Sequence, residues 1–209
     1  MPHAAAKDAL FAPFKTKELE ANFSAIGLKT IELHSATKDR NEYLQRPDLG
    51  RKLDEESKKY INNNSCIFDI CITITDGLSA LAANEHAFPL VQLLHSELTK
   101  RGYSIAPIVL LNRGRVAASD QIGELLNAKL SLILVGERPG LSSPDSLGAY
   151  LTYQPKIGNT DEKRNCVSNI RPQGLNYTFA VEKLVYLISN AITRQISGVG
   201  LKDEMGLME

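Results

Sequence analysis

Residues 136–148 read GERPGLSSPDSLG and follow directly on the apolar run LSLILV at 130–135. Small, polar and conformationally special residues at the end of a buried strand are where an open α/β sheet puts its ligand. The glycines and prolines hold the backbone in a set shape, so main-chain groups can approach a partner closely. Glu137, just past the strand, could accept hydrogen bonds from ligand amides or hydroxyls, or simply pair with Arg138 or Arg113. Cys166, in the RNC run at 164–166, is a thiol near the same loop or a small buried hydrophobe. Val116 reads as core or turn packing. Asp76 is a ligand group or a helix cap. His86 is a base or a hydrogen-bonded helix residue, and Asp145 most simply caps a helix beginning near Ser146.

What is missing narrows the chemistry. The chain has no G-x-x-x-x-G-K-[ST] phosphate loop and no strand-linked G-x-G-x-x-G. Ser142 and Ser143 do not fit a G-x-S-x-G elbow. His3, His34, His86 and His95 are scattered without metal-ligand spacing. No complete catalytic apparatus can be assembled, so a built binding rim without its own catalyst suggests part of an enzyme. Lys plus Arg and Asp plus Glu both number 24, for a formal charge of zero. That balance argues against nucleic acid or an acidic membrane as the main partner, and it fits a chain that sits in a larger assembly. Cys66, Cys71 and Cys166 leave an odd count with no C-x-x-C pair. With no signal peptide at the start and no apolar stretch approaching the ~20 residues of a membrane span, a cytoplasmic setting is expected.

The elements that must position these residues fall into two regions. Residues 1–65 are charged and patchy and read as a small helical region. Helices are expected at 15–23 and 51–62, the latter opened near Asp48 or Gly50, with a short one at 34–41. From 66 the pattern becomes strand, helix, strand, helix, strand. The apolar, β-branched CIFDICITI at 66–74 reads as a strand buried on both faces. A leucine-rich helix follows at 78–100, with Pro89 predicting a kink or a junction of two helices. Strands are expected at 105–111 and 130–135, with a helix between them capped by Ser119 or Asp120. A short strand is expected at 152–154, and the helix 177–197 has i, i+3, i+4, i+7 apolar spacing. The expected architecture over 66–209 is α/β: a doubly wound, mostly parallel Rossmann-like sheet with right-handed crossovers. Turns at 75–77, 112–115 and 136–140 then leave the carboxyl ends of the strands along one rim, and the ligand belongs there.

The residues also carry a resemblance. GERPGLSSPDSLGAYLTY at 136–153, RNCVSNIRP at 164–172 and SGVGLKD at 197–203 resemble the small subunit of ethanolamine ammonia-lyase. DGLSA at 76–80, GRVAASD at 114–120 with Ile122-Gly123-Glu124, and YLQRPDLGRK at 43–52 add to it in the family's order, whereas residues 1–32 match no motif. The resemblance implies an adenosylcobalamin-dependent radical enzyme that converts ethanolamine to acetaldehyde and ammonia. It implies a hetero-oligomer in which a large subunit binds ethanolamine and the small one closes over the cofactor. It also implies cofactor contacts at Val116 in GRVAASD, Glu137 in GERPG and Cys166 in RNC, so that residues 66–209 form a cobalamin-contacting domain. The chain lacks D-x-H-x-x-G, so no residue here is expected to ligate cobalt. The competing reading is a free-standing Rossmann-like module for a nucleotide or metabolite. A third gives the N-terminal helices a docking role in a bacterial microcompartment, which deleting residues 1–32 would test.

Overall fold

In a computed structural model, the chain is described over residues 11–62, 66–140, 143 and 145–204. Helix α1 (Thr16–Ala25) leads to strand β1 (Thr30–His34). The short helices α2 (Arg40–Gln45) and α3 (Pro47–Gly50) come next, then α4 (Glu55–Asn62). Strand β2 (Phe68–Thr75), helix α5 (Ala80–Lys100), β3 (Ile108–Asn112), α6 (Ala118–Leu125) and β4 (Ala128–Gly136) follow. The last elements are β5 (Leu147–Tyr153), β6 (Arg164–Ile170) and α7 (Tyr177–Arg194), with 3-10 turns at Asp161–Lys163 and Gly198–Gly200. Among the described residues, no helix is long and apolar enough to cross a membrane.

One six-stranded sheet runs in the order β1-β3-β2-β4-β5-β6. The pairings β1–β3, β3–β2 and β2–β4 are parallel, whereas β4–β5 and β5–β6 are antiparallel. The sheet is therefore mixed, which corrects the mostly parallel, Rossmann-like expectation. The reason is chain length between strands. A parallel return needs a crossover of a dozen or more residues, usually helical. Only residues 137–146 separate β4 from β5, and the described ones among them form no helix, so β5 returns directly. Asp145 consequently caps no helix, and Ser146 leads into β5.

The central strands behave as their composition dictates. The last six residues of β2 are all buried, because helices cover both faces. On one face, Ile70, Ile72 and Ile74 join Leu110, Leu132, Leu134, Leu151 and the inner sides of α1, α5 and α7. On the other, Cys71, Val109 and Leu111 pack against Leu53, Ile61 and Ile122 of the α4 and α6 side. Between β2 and β3 the chain crosses one face through α5, and between β3 and β4 it crosses the other through α6. The strand order reverses at β2, which opens a crevice at its carboxyl end.

Several local expectations change. Residues 1–65, read as helical, also supply β1, paired in register with β3. The helix expected at 34–41 begins only at Arg40, as α2, with Asp39 accepting from the Glu42 N–H. Asp54 caps α4 through the Ser57 N–H at 2.8 Å, and residues 47–50 form a separate turn of helix. Helix α5 runs unbroken through Pro89. Its cap is Ser79, which accepts from the Ala82 N–H, not Asp76. Neither Ser119 nor Asp120 caps α6, since both lie inside its first turn and are buried.

Candidate functional site at the sheet rim

The three rim turns meet and lock together. Gly136 O accepts from the Leu78 N–H at 2.8 Å, and a side chain at Gly136 would run into the Ser79 backbone. Asp76 Oδ1 accepts from the Arg113 N–H at 2.7 Å, while Oδ2 pairs with Arg40 at 3.1 Å. Burial pushes the Asp76 carboxyl above its usual range against the opposing pull of Arg40. Thr75 Oγ1 accepts from the Gly114 N–H at 2.9 Å. Behind this corner Tyr43, fully buried, donates to Gly114 O at 3.1 Å. The guanidinium carbons of Arg40 and Arg115 lie 4.9 and 4.2 Å from its ring centre, a doubled cation–π contact. Burial raises the Tyr43 hydroxyl to about 12, so it stays protonated and keeps donating.

Beyond β4 the two faces of the sheet differ. Ala149, Leu151 and Val167 face the α7 core. Gly148, Tyr150, Thr152, Arg164 and Cys166 therefore point to the opposite face, beside the start of α6. A groove of about 860 Å³ lies there, with Val116, Tyr150, Arg115, Asp120 and Arg164 among its lining residues. Its far wall is formed by residues 157–161 and by residues 47–52.

Of the sequence candidates, Val116 lines this groove with Tyr150, whereas neither Glu137 nor Cys166 is among its lining residues. Tyr150 and Cys166 are register partners on β5 and β6. Their side chains interact, and the Glu137 carboxylate acts on both electrostatically. Burial, then Cys166 and Glu137, push the Tyr150 hydroxyl far above its ordinary value. Cys166 is exposed, not a buried hydrophobe; partial desolvation of its sulfur raises its pKa, Tyr150 lowers it and Glu137 raises it. Glu137 is held by neither Arg138 nor Arg113. Its Oε2 accepts from Ser146 Oγ, and from the Asn169 N–H at 3.4 Å. Oε1 lies over Gly148, where a Cβ would come within 2.7 Å of it. Val116, half-buried just before the α6 N-cap Ala117, lines the groove with Tyr150.

The groove floor is a buried ion pair. Arg164 reaches Asp120 through NH1–Oδ1 and NH2–Oδ2, both at 2.8 Å, with 4% and 2% of the side chains exposed. Arg164 also donates to Thr152 Oγ1 and to Asn159 O. This two-point pairing fixes β6 against the first turn of α6, and so fixes Cys166 relative to Val116. His86 is the hydrogen-bonded helix residue of the blander reading: Nδ1 meets Tyr177 Oη at 2.8 Å and Nε2 meets Asp145 Oδ2 at 3.3 Å.

Sequence reasoning missed Tyr150, Arg115 and the Asp120–Arg164 pair. Tyr150 was visible only as a strand aromatic whose outward parity depends on where β5 starts. The ion pair joins residues 44 positions apart, which no local pattern reports.

Arg115, Val116 and Tyr150 line the groove, and Oε1 of Glu137 lies over Gly148, two residues before Tyr150 on β5. A guanidinium and a hydroxyl as donors, a carboxylate acceptor and an apolar side chain are the kinds of group that an amide-edged ring needs. The chemistry of the residues thus fits the cofactor that the resemblance implies.

Comparison with known proteins agrees with the resemblance over the whole chain. The family model for the ethanolamine ammonia-lyase light chain matches residues 1–202, which takes in residues 1–32 where no motif was visible. An ethanolamine ammonia-lyase small subunit of Pseudomonas fluorescens is 50% identical over 206 residues, covering 97% of this chain and 75% of that protein. One from Ralstonia nicotianae is 50% identical over 213 residues, covering 99% and 79%. One from Pseudomonas syringae pv. tomato is 48% identical over 209 residues, covering 98% and 73%. With the match running through every segment that builds the rim and the groove, the chain belongs to the ethanolamine ammonia-lyase light-chain family and is a subunit of that lyase.

Proposed function

We propose that this small subunit forms one wall of an adenosylcobalamin site at its junction with the large subunit, with Val116, Glu137 and Cys166 as its contacts. The observation that carries the reading is that Cys166 pairs with Tyr150 across β5 and β6 with the Glu137 carboxylate acting on both, while Val116 and Tyr150 line one groove. When bound, the cofactor supplies the radical-initiating chemistry that no side chain here can supply, for the conversion of ethanolamine to acetaldehyde and ammonia. This chain's own part is to bind, orient and seal. Oε1 of Glu137 and the Tyr150 hydroxyl offer an acceptor and a donor to the amide edge. Val116 gives it an apolar surface, and Cys166 packs beside Tyr150 as a neutral thiol, since its pKa is raised. The large subunit, which the name small subunit implies, closes the open side and excludes water. Ethanolamine is held by that partner. The assembly works in the cytoplasm or within a microcompartment, where the near-neutral charge of the chain allows close packing.

The test is a titration of the assembled two-subunit complex with adenosylcobalamin. Glu137→Gln and Cys166→Ala should each weaken binding several-fold, on the order of 1 kcal/mol for one hydrogen bond or packing contact. Turnover at saturating cofactor should fall less. Unchanged affinity in both variants would overturn the site, and a stable monomer with no affinity for a large subunit would restore the free-standing module.

A further inference from the structure

The Glu137 carboxylate does not hold itself. Its Oε2 takes one hydrogen bond from Ser146 Oγ at the end of the 137–146 loop and one from the Asn169 N–H in β6. Both of these donors are fixed from behind by the same guanidinium. Arg171 NH1 pairs with Asp145 Oδ1 at 3.2 Å, next to Ser146 in the chain. Arg171 Nε donates to Asn169 Oδ1 at 3.1 Å. The contacts close a ring: Glu137, Ser146, Asp145, Arg171, Asn169 and back to Glu137.

The Arg171–Asp145 side of the ring is set into the molecule, while Asn169 is exposed. Arg171 and Asp145 have only 15% and 18% of their side chains exposed. The second oxygen of Asp145 meets His86 Nε2 at 3.3 Å, and His86 Nδ1 meets the Tyr177 hydroxyl at 2.8 Å. Burial, then the Glu85 and Asp145 carboxylates, raise the Tyr177 pKa, so Tyr177 can donate to Nδ1 while Nε2–H donates to Asp145; this tautomer follows from the partners. Asn169 adopts φ +58°. Its carbonyl accepts from the Leu175 N–H at 2.8 Å, and Arg171 O accepts from the Gly174 N–H at 3.0 Å. The turn 169–175 therefore aims the Asn169 N–H at Glu137 and returns the Arg171 side chain toward Asp145.

We infer that Arg171, through Asp145 and Asn169, is the positioning residue for the Glu137 carboxylate: it ties together the two segments that hold Oε2, which leaves Oε1 presented over Gly148. Neither Arg171 nor Asp145 lines the groove. Glu137 is absent from that lining too, and the effect inferred for Arg171 and Asp145 on a ligand passes through its carboxylate. Lysine cannot replace Arg171 fully, because a single ammonium cannot reproduce the fork that reaches two acceptors on different segments.

The inference rests on Glu137 being a cofactor contact, and a double-mutant cycle separates the two claims. The assembled two-subunit complex is titrated with hydroxocobalamin, with binding read from the absorption spectrum, for the wild type, Arg171→Met, Glu137→Gln and the double variant. Arg171→Met and Glu137→Gln should each raise the dissociation constant several-fold, Arg171→Met by no more than Glu137→Gln, and the double variant should be no weaker than Glu137→Gln alone, the non-additivity of groups acting as a unit. Arg171→Lys should recover part of the loss. Asp145→Asn, a nearly isosteric change, should give a smaller loss in the same direction, and it keeps the test available if Arg171→Met does not fold. An effect of Glu137→Gln with none of Arg171→Met or Asp145→Asn overturns the positioning role and leaves the contact intact. Additive losses overturn it too, since they show Arg171 acting by another route. No effect of Glu137→Gln overturns both claims.

Discussion

Two buried side chains set the most demanding local requirement. Asp120 and Arg164 are almost wholly removed from water, and each satisfies the other at two points. Removing one charge strands its partner, whereas replacing both with apolar groups removes the problem. Arg164→Met should therefore lower unfolding stability by about 3–5 kcal/mol, and Asp120→Leu combined with Arg164→Met should recover most of it. Chemical denaturation of the wild type, the single variant and the double variant checks this, and equal losses in single and double variants would contradict it. The three thiols make a second case. Cys71 is fully buried and its pKa is pushed up to about 12 by desolvation, whereas Cys66 and Cys166 are exposed. A thiol reagent should modify Cys66 and Cys166 in the folded chain and reach Cys71 only on unfolding. In the assembled complex, bound adenosylcobalamin should protect Cys166 and leave Cys66 as it was. Peptide mapping after labelling reads all three.

At the scale of elements, the start of β2 is pinned by one carboxylate. Asp69 accepts from the Ser104 N–H and Oγ, both at 2.8 Å, and from Lys129 at 2.8 Å. Burial works against its ionisation, but Lys129 and Ser104 prevail and hold its pKa below the ordinary value. A folded-state pKa below the unfolded one adds stability above the unfolded value, and that stability disappears as pH falls through the folded one. The stability gap between wild type and Asp69→Asn should be full at neutral pH and close as pH falls below about 4. A gap that is constant from neutral to acid would rule out this role. The same scale explains what could be read from the chain beforehand. Strands β2, β3 and β4 were legible because they are buried on both faces and their apolar runs are continuous. Strand β1 was not, because TIELH is an edge strand with alternating exposure. Strand β6 was not either: its outward face carries Arg164, Cys166 and Ser168, and only Val167 and Ile170 are buried. The turn after β4 was correctly placed as a rim loop, yet its antiparallel outcome depends on its length. Val116, Glu137 and Cys166 came from motif resemblance, while Tyr150 and Arg171 required the register and the turn that bring them to Glu137.

For the whole molecule, charge and surface point the same way. The formal charge is zero and the isoelectric point is about 6.9, so copies repel one another little near neutral pH. Several large apolar side chains remain exposed, among them Ile67 at 74%, Val199 at 81% and Phe179 at 59%. Scattered singly, such residues need no explanation, but here they accompany a wide groove and a subunit whose relatives are named as one part of a larger enzyme. A chain with this surface and no net charge should self-associate when purified alone. Light scattering of the isolated subunit should show its strongest association near pH 6.9 and a decline on either side as net charge builds up. Mixing with the large subunit should remove the association, because a specific partner would then cover surface through which copies of the chain otherwise meet. If the isolated chain stays monomeric and clear across that range, its exposed surface does not need a partner, and the case for the wall it is proposed to form would rest on the groove alone.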